Sequence, residues 1–351
     1  MKASDIYDGD YAVVDVRSPG EFRKGTIPGA VNIPLFDDEE RALVGTLYKK
    51  EGTGKAKIRG IEIVSGKLKD IYEKIGTQEE KGKEIVVFCS RGGMRSGSLV
   101  QLLDSLGHRV HQLEGGYKEY RRYVLDNLDA LIKSKQVVVI HGNTGVGKTQ
   151  LLGILKDRGF PSVDLEAIAN SRGSIFGTVG LGEPRYQKDF EALLFERLRS
   201  IDKNYIIIES ESPRVGRAYL PAVLVDKMKS GVHILVECSM QQRIRRIVDE
   251  YINIQGDEVS EEIRTSIKRL RGELGSRKTD MLLALLEAKN YDGIVRFLLE
   301  KHYDPKYYHS EKKYDYSLKL DSDNMEECAQ AITEFLHTKQ NKQQGRFFLF
   351  Q

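Results

Sequence analysis

The 351 residues carry 55 Lys and Arg against 52 Asp and Glu. A net charge of +3 implies no polyanionic partner by itself, so nucleic-acid binding would have to come from a local basic face. Three cysteines, Cys89, Cys238 and Cys328, exclude a paired zinc motif and a secreted disulfide framework; with no basic-then-apolar leader and no run of about eighteen apolar residues, they predict a cytoplasmic protein without a membrane segment.

The length suits two domains, each able to bury its own core. YAVVDVR and, at 84–90, EIVVFCS are β-branched and apolar until they end abruptly in polar residues, which predicts two parallel core strands. Helix-period stretches such as GKLKDIYEKI and GSLVQLLDSLG alternate with them, so the first half is α/β. The charged run YKEYRRYVLDNLDALIKSK leads to the next strand, QVVVIHG, and the boundary is drawn there: residues 1–128 form one domain and 129–338 a second, also α/β, with strands YIIIES at 205–210 and VHILVEC at 232–238. From about 240 to 300 the pattern is helical and charged, a helical insert, and residues 339–351 are expected to be a disordered tail. His141 reads as a strand-end residue, and Cys238 and Cys328 as core.

Cys89 closes a predicted strand and is followed by Ser-Arg-Gly-Gly-Met-Arg-Ser and an apolar helix pattern. Gly92 and Gly93 let the backbone curl so that N–H groups point inward, and the helix start adds positive potential. Arg91 and Arg95 are expected to bring full charges to a bound anion. Such surroundings lower a cysteine pKa from roughly 8.5 to about 3.5–7.5, so Cys89, Arg91 and Arg95 are the candidate catalytic set. The first half resembles the rhodanese family through DVRSPGEF, GTIPGAVNIP and the Cys89 loop; Thr26 departs from it, where many rhodaneses carry histidine. The resemblance implies a sulfurtransferase-like fold. The spacing from Cys89 to Arg95 also resembles dual-specificity phosphatases, but Phe88 stands where their histidine is usual.

Gly142-Asn143-Thr144-Gly145-Val146-Gly147-Lys148-Thr149 follows an apolar strand and opens a helix pattern. Its amides suit a diphosphate, Lys148 neutralises charge, and the Thr149 hydroxyl can ligate magnesium. Of the acids at strand ends, Asp164 and Glu209 are favoured as metal supports, with Glu211 beside them. Arg243, Arg245, Arg246, Lys268, Arg269 and Arg271 form a candidate RNA-binding face, interleaved with acids that equally suit a solvated surface.

A rhodanese domain ahead of a P-loop domain resembles the tRNA 2-selenouridine synthases, as do DDEERALVGTLYKKEGTGKA, DLEAIANSRGSIFG, ESESPRVGRAYLP and HYDPKYYH. The resemblance implies conversion of wobble 2-thiouridine in tRNA to 2-selenouridine through an S-geranyl intermediate. Geranyl diphosphate and selenophosphate would be substrates, and selenophosphate synthetase an expected partner. The alternative is a general rhodanese-type sulfurtransferase coupled to a nucleotide-binding P-loop domain.

Overall fold

The computed structural model describes residues 1–79, 82–172, 174, 176–253, 259–307 and 314–343. It divides into two compact units: Met1–Ala130 with Tyr186–Glu196, and Leu131–Arg185 with Arg197–Gln351. The first unit therefore takes in a later segment that a single boundary after residue 128 does not anticipate. Side-chain contacts explain why: the Thr26 amide donates to Asp189 Oδ1 at 3.0 Å, Glu191 pairs with Arg121, and Phe195 meets the Tyr7 ring edge-on at 5.8 Å.

In the first unit, β1 (Tyr11–Asp15), β2 (Val31–Asn32), β3 (Glu84–Phe88) and β4 (Val110–Gln112) form a parallel sheet in the order β2-β1-β3-β4. Parallel strands covered by helices bury both faces, which is why β1 and β3 read as unbroken apolar runs. Val14, Val16, Ile85, Val87, Leu99 and Leu103 are the heart of this core. Helix Met94–Ser105 packs on the sheet directly after the Cys89 loop, so the cysteine sits between a strand end and a helix start.

In the second unit, β5 (Gln136–His141), β6 (Ser162–Val163) and β7 (Tyr205–Glu209) are followed by a small antiparallel pair, β8 (Arg214–Val215) and β9 (Ala218–Tyr219). With β10 (Val232–Glu237) and β11 (Tyr316–Asp321), the main parallel sheet runs β11-β10-β5-β7-β6. β5 is central, and the chain leaves it first toward β6 and later toward β10. That crossing point at the carboxyl ends of the strands is where α/β sheets bind ligands.

The described residues between 240 and 300 contain helices only, among them Met240–Val248, Ser260–Arg269, Ser276–Glu287 and Tyr291–Leu298. They bury a core of their own, including Ile263, Ile267, Leu282, Leu286, Ile294 and Leu298. The last helix runs from Met325 to Gln343, so the tail expected to be disordered from 339 is helical at its start. Residues 344–351 lie outside the described residues. Among the described residues, no helix is long and apolar enough to cross a membrane.

Candidate functional site

Cys89 follows β3 and is 3 % exposed. Burial by itself raises its pKa, but the Ser96 hydroxyl, 3.2 Å from Sγ, and the amides of Arg91, Ser96 and Gly93 outweigh it, and the net direction is downward. The loop is fixed from behind. Gly92 and Gly116 both adopt positive φ, and a Cβ on Gly116 would come within 2.2 Å of the Cys89 carbonyl oxygen. The Tyr117 amide donates to that same oxygen at 2.9 Å, and Gln112 Nε2 donates to Gly92 O and Ser96 Oγ.

The two arginines of this loop separate. Arg91 is exposed and free to meet an anion. Arg95 does not extend into the loop: Nη1 donates to Glu21 Oε2 at 2.8 Å and Nη2 to Ser90 Oγ at 2.9 Å, while Ser90 Oγ donates to Glu21 Oε1. A half-buried carboxylate needs a fixed cation, and Arg95 supplies it; this corrects the expectation that Arg95 holds the anionic donor. Asp15 and Arg17 are likewise structural, a buried bidentate pair with Arg17 over the Tyr117 ring. Thr26, the departure from the rhodanese pattern, donates its hydroxyl to Asp15 Oδ2 at 2.9 Å and completes that shell.

The second constellation lies in the other unit. The loop from Gly142 to Gly147 leaves β5 and enters helix Lys148–Asp157, with Gly145 and Gly147 at positive φ. Lys148 Nζ donates to Gly142 O at 2.9 Å. Beside the loop opens a cavity of about 960 Å³, near the upper end of the size that takes a drug-sized ligand. Gly145, Gly147, Lys148 and Thr149 line its polar end, and Phe176 with Ile263, Ile294, Val295 and Leu298 of the helical region give it apolar surface, beside which Glu273, His302 and Lys306 also line it.

Three acids meet at the polar end. One carboxylate oxygen from each of Glu166, Glu209 and Glu211 lies within 4.8 Å of the others. Burial first, then mutual repulsion, pushes Glu166 up to about 8 and Glu209 well above the carboxylate range; burial also raises Glu211, against the pull of Lys148. Buried like charges of this kind, all oxygen donors, fit a hard divalent cation such as magnesium. Asp164 does not join them: its Oδ1 accepts the Ala167 amide at 2.7 Å and caps helix Leu165–Ala169. Asp ahead of an apolar run is a helix-start signal, and reading it so would have moved attention to Glu166, two residues on.

The basic candidates also divide. Arg243 is buried, bonding Thr144 O and the Asp304 carboxylate, and Arg246 bonds Val146 O and Ser322. Neither guanidinium is presented to an RNA backbone, because unpaired loop carbonyls need donors more than solvent does. Arg271 pairs with Asp280, and Arg245 lies 3.9 Å from Asp249 while remaining largely exposed. Lys268 and Arg269 are exposed. His141 ends β5 in contact with His233 at 2.9 Å, where burial and that neighbour hold it down to about 3. Cys328 is core, whereas Cys238 is half-buried with its thiol on Asp323 Oδ1 at 3.1 Å.

Two known families together match most of the chain. The rhodanese-like domain family matches residues 3–123, and the family described as tRNA 2-selenouridine synthase AAA domain matches residues 135–341. The tRNA 2-selenouridine synthase of Pseudomonas syringae pv. syringae is 35 % identical over 334 residues, covering 86 % of this chain and 89 % of that protein. Its counterpart in Sulfurovum sp. is 32 % identical, covering 84 % and 87 %. A crystal structure of the N-terminal domain of a putative ATP/GTP binding protein from Clostridium difficile 630 is 47 % identical, covers 36 % of this chain and 98 % of that one, and has a TM-score of 0.35. The chain belongs to the tRNA 2-selenouridine synthase family.

Proposed function

We propose that this enzyme replaces sulfur by selenium in the wobble 2-thiouridine of tRNA, with geranyl diphosphate activating the sulfur and selenophosphate supplying the selenium. The observation that carries this reading is a cavity that joins a phosphate cradle at Gly145, Gly147, Lys148 and Thr149 to apolar surface at Phe176, Ile263, Ile294 and Leu298. A ligand with a diphosphate head and a hydrocarbon tail matches both ends.

In the first step the thiocarbonyl sulfur bonds to the allylic carbon as its C–O bond breaks, the electron pair leaves with the diphosphate, and the uracil N3 proton is lost. Loop amides and Lys148 stabilise the leaving charge without hydrolysing ATP. A magnesium ion held by Glu166, Glu209, Glu211 and Thr149 would add neutralising charge there. In the second step a selenium nucleophile adds at C2 and geranylthiolate departs. Cys89, with its lowered pKa and inward amides, activates that selenium. Its thiolate takes the phosphoryl group of selenophosphate as the P–Se bond breaks, selenium leaves as selenide, and water later removes the phosphoryl group as phosphate. Exposed Arg91 attracts the anionic donor. A cytoplasmic location and supply by selenophosphate synthetase accord with a tRNA substrate.

Mass analysis of nucleosides after incubating 2-thiouridine tRNA with both donors tests the reading. Geranylthio- and selenouridine are expected from the unaltered protein, geranylthiouridine alone from Cys89→Ala, and neither from Lys148→Ala. Unchanged 2-thiouridine with the unaltered protein would sink it.

A further inference from the structure

The loop Gly142–Gly147 is held by side chains that belong to other elements. Arg243 Nε donates to Thr144 O at 2.8 Å; Arg246 Nη1 and Ser322 Oγ donate to Val146 O at 2.9 and 2.7 Å. Those donors come from helix Met240–Val248 and from the residue that follows β11, about one hundred residues and more along the chain from the loop. Arg243 is itself fixed, its Nη1 and Nη2 on the two oxygens of Asp304 at 3.0 and 2.6 Å.

A trans peptide unit is planar, with its carbonyl and the next residue's N–H pointing in opposite directions. Among the described residues no peptide bond is cis. Drawing the Thr144 carbonyl outward therefore turns the Gly145 N–H the other way, and drawing the Val146 carbonyl outward does the same for the Gly147 N–H. Gly145 and Gly147 are the two loop glycines that line the cavity. Both sit at φ near +80° to +90°, +83° and +90°, where a side chain would be strained, so the loop bends freely and its peptide planes need an external restraint. The cost of ordering them is met during folding instead of at binding.

The geometry points to Arg243, Arg246 and Ser322 as positioning residues that preset the loop amides for a diphosphate, with Asp304 holding Arg243 in register. They bond the loop carbonyls and act through them on the ligand, and Arg246 also lines the cavity. This inference rests on the phosphate-binding reading of the cavity and adds to it the residues that make the cradle rigid. It also gives the paired arginines of QQRIRRIV a role that charge alone does not suggest.

Inorganic pyrophosphate and the full chain labelled with ¹⁵N-glycine provide the test. In the unaltered protein, pyrophosphate should move the Gly145 and Gly147 amide signals together. Arg243→Lys, which keeps the charge and loses the fork, should displace the free-state Gly145 signal and weaken pyrophosphate binding about tenfold, as losing one charge-assisted hydrogen bond predicts. Ser322→Ala should displace Gly147 and leave Gly145 in place. A general loss of structure would move both signals and lower the melting temperature in each variant, so the residue-by-residue pattern separates positioning from stability. Unchanged affinity and unchanged amide positions in both variants would overturn the inference while leaving the phosphate site standing. Failure of the unaltered protein to bind pyrophosphate at all would instead remove the phosphate-binding reading on which it rests.

Discussion

The Thr149 hydroxyl donates to Glu209 Oε2 at 3.3 Å, joining the first turn of the P-loop helix to the last residue of β7. Glu209 is fully buried, and burial together with Glu166, Asp164 and Glu211 raises its pKa well above the usual carboxylate range. Glutamine at this position keeps the shape and resembles the protonated acid. Glu209→Gln should therefore melt no lower than the unaltered protein without metal. It should lose the rise in melting temperature that magnesium with pyrophosphate gives the unaltered chain, a ligand at a hundred times its Kd adding about 2.7 kcal/mol. An equal magnesium-dependent rise in both proteins would remove the three acids as metal ligands.

Cys89 is the first of the three thiols to ionise. Ser96 and the loop amides lower its pKa, while burial raises that of Cys238 and pushes Cys328 up to about 11. Ultraviolet titration of thiolate absorbance should show one early step, absent in Cys89→Ala and displaced to higher pH in Ser96→Ala. The selenium-transfer step should follow the same displacement, because only the ionised sulfur is nucleophilic. An early step that survives in Cys89→Ala would assign the reactive thiol elsewhere.

Glu21 gives the first unit an acid-sensitive latch. Burial opposes its ionisation, but hydrogen bonding and charge from Arg95, with Ser90 and the Ser18 amide, bring its pKa down to about 2 from 4.5. A carboxylate lowered in the folded state contributes stability that is complete above 4.5 and disappears as pH falls toward 2. Melting of the unaltered protein should therefore drop across that window more steeply than melting of Glu21→Gln. Arg95→Ala should lower the melting temperature at neutral pH, since it leaves the half-buried Glu21 carboxylate with Arg41, 3.4 Å away, in place of its hydrogen-bonded Arg95. Arg91→Ala should leave melting unchanged and slow only the selenophosphate-dependent step. If the two arginine variants melt alike, the division of labour drawn between them fails.

Strands β1, β3, β5, β7 and β10 are legible in the sequence because strands buried on both faces leave unbroken apolar runs. β2 and β4, at two and three residues, are too short to leave a pattern. β11 alternates exposed and half-buried residues, as an edge strand does, and YSLKLD reads as neither core nor helix. The same limit applies to the site. Gly142–Thr149 is contiguous and plain, but Arg243 and Arg246 look like surface charge until the fold brings them onto Thr144 O and Val146 O. Glu166 was hidden by Asp164, whose capping role accounts for the residue that sequence reading placed at the metal.

The remaining basic residues define where RNA should be gripped. With Arg243 and Arg246 committed to the loop and Arg271 to Asp280, the exposed cations of this region include Arg245; Lys268 and Arg269 at the end of helix Ser260–Arg269; and Arg277 and Lys278 at the start of helix Ser276–Glu287. Phosphate contacts release counterions, and each contributes a slope of about −0.7 to −0.9 in a plot of log affinity against log salt. Reversing Lys268 and Arg269 to glutamate should flatten the slope for tRNA by about 1.5 and weaken binding at least tenfold at moderate salt, converging with the unaltered protein as salt rises. Pyrophosphate binding in the same variant should stay unchanged, because neither side chain lines the cavity. A salt slope equal to that of the unaltered protein would show that tRNA is held by another face, and these cations would then be ordinary solvated surface.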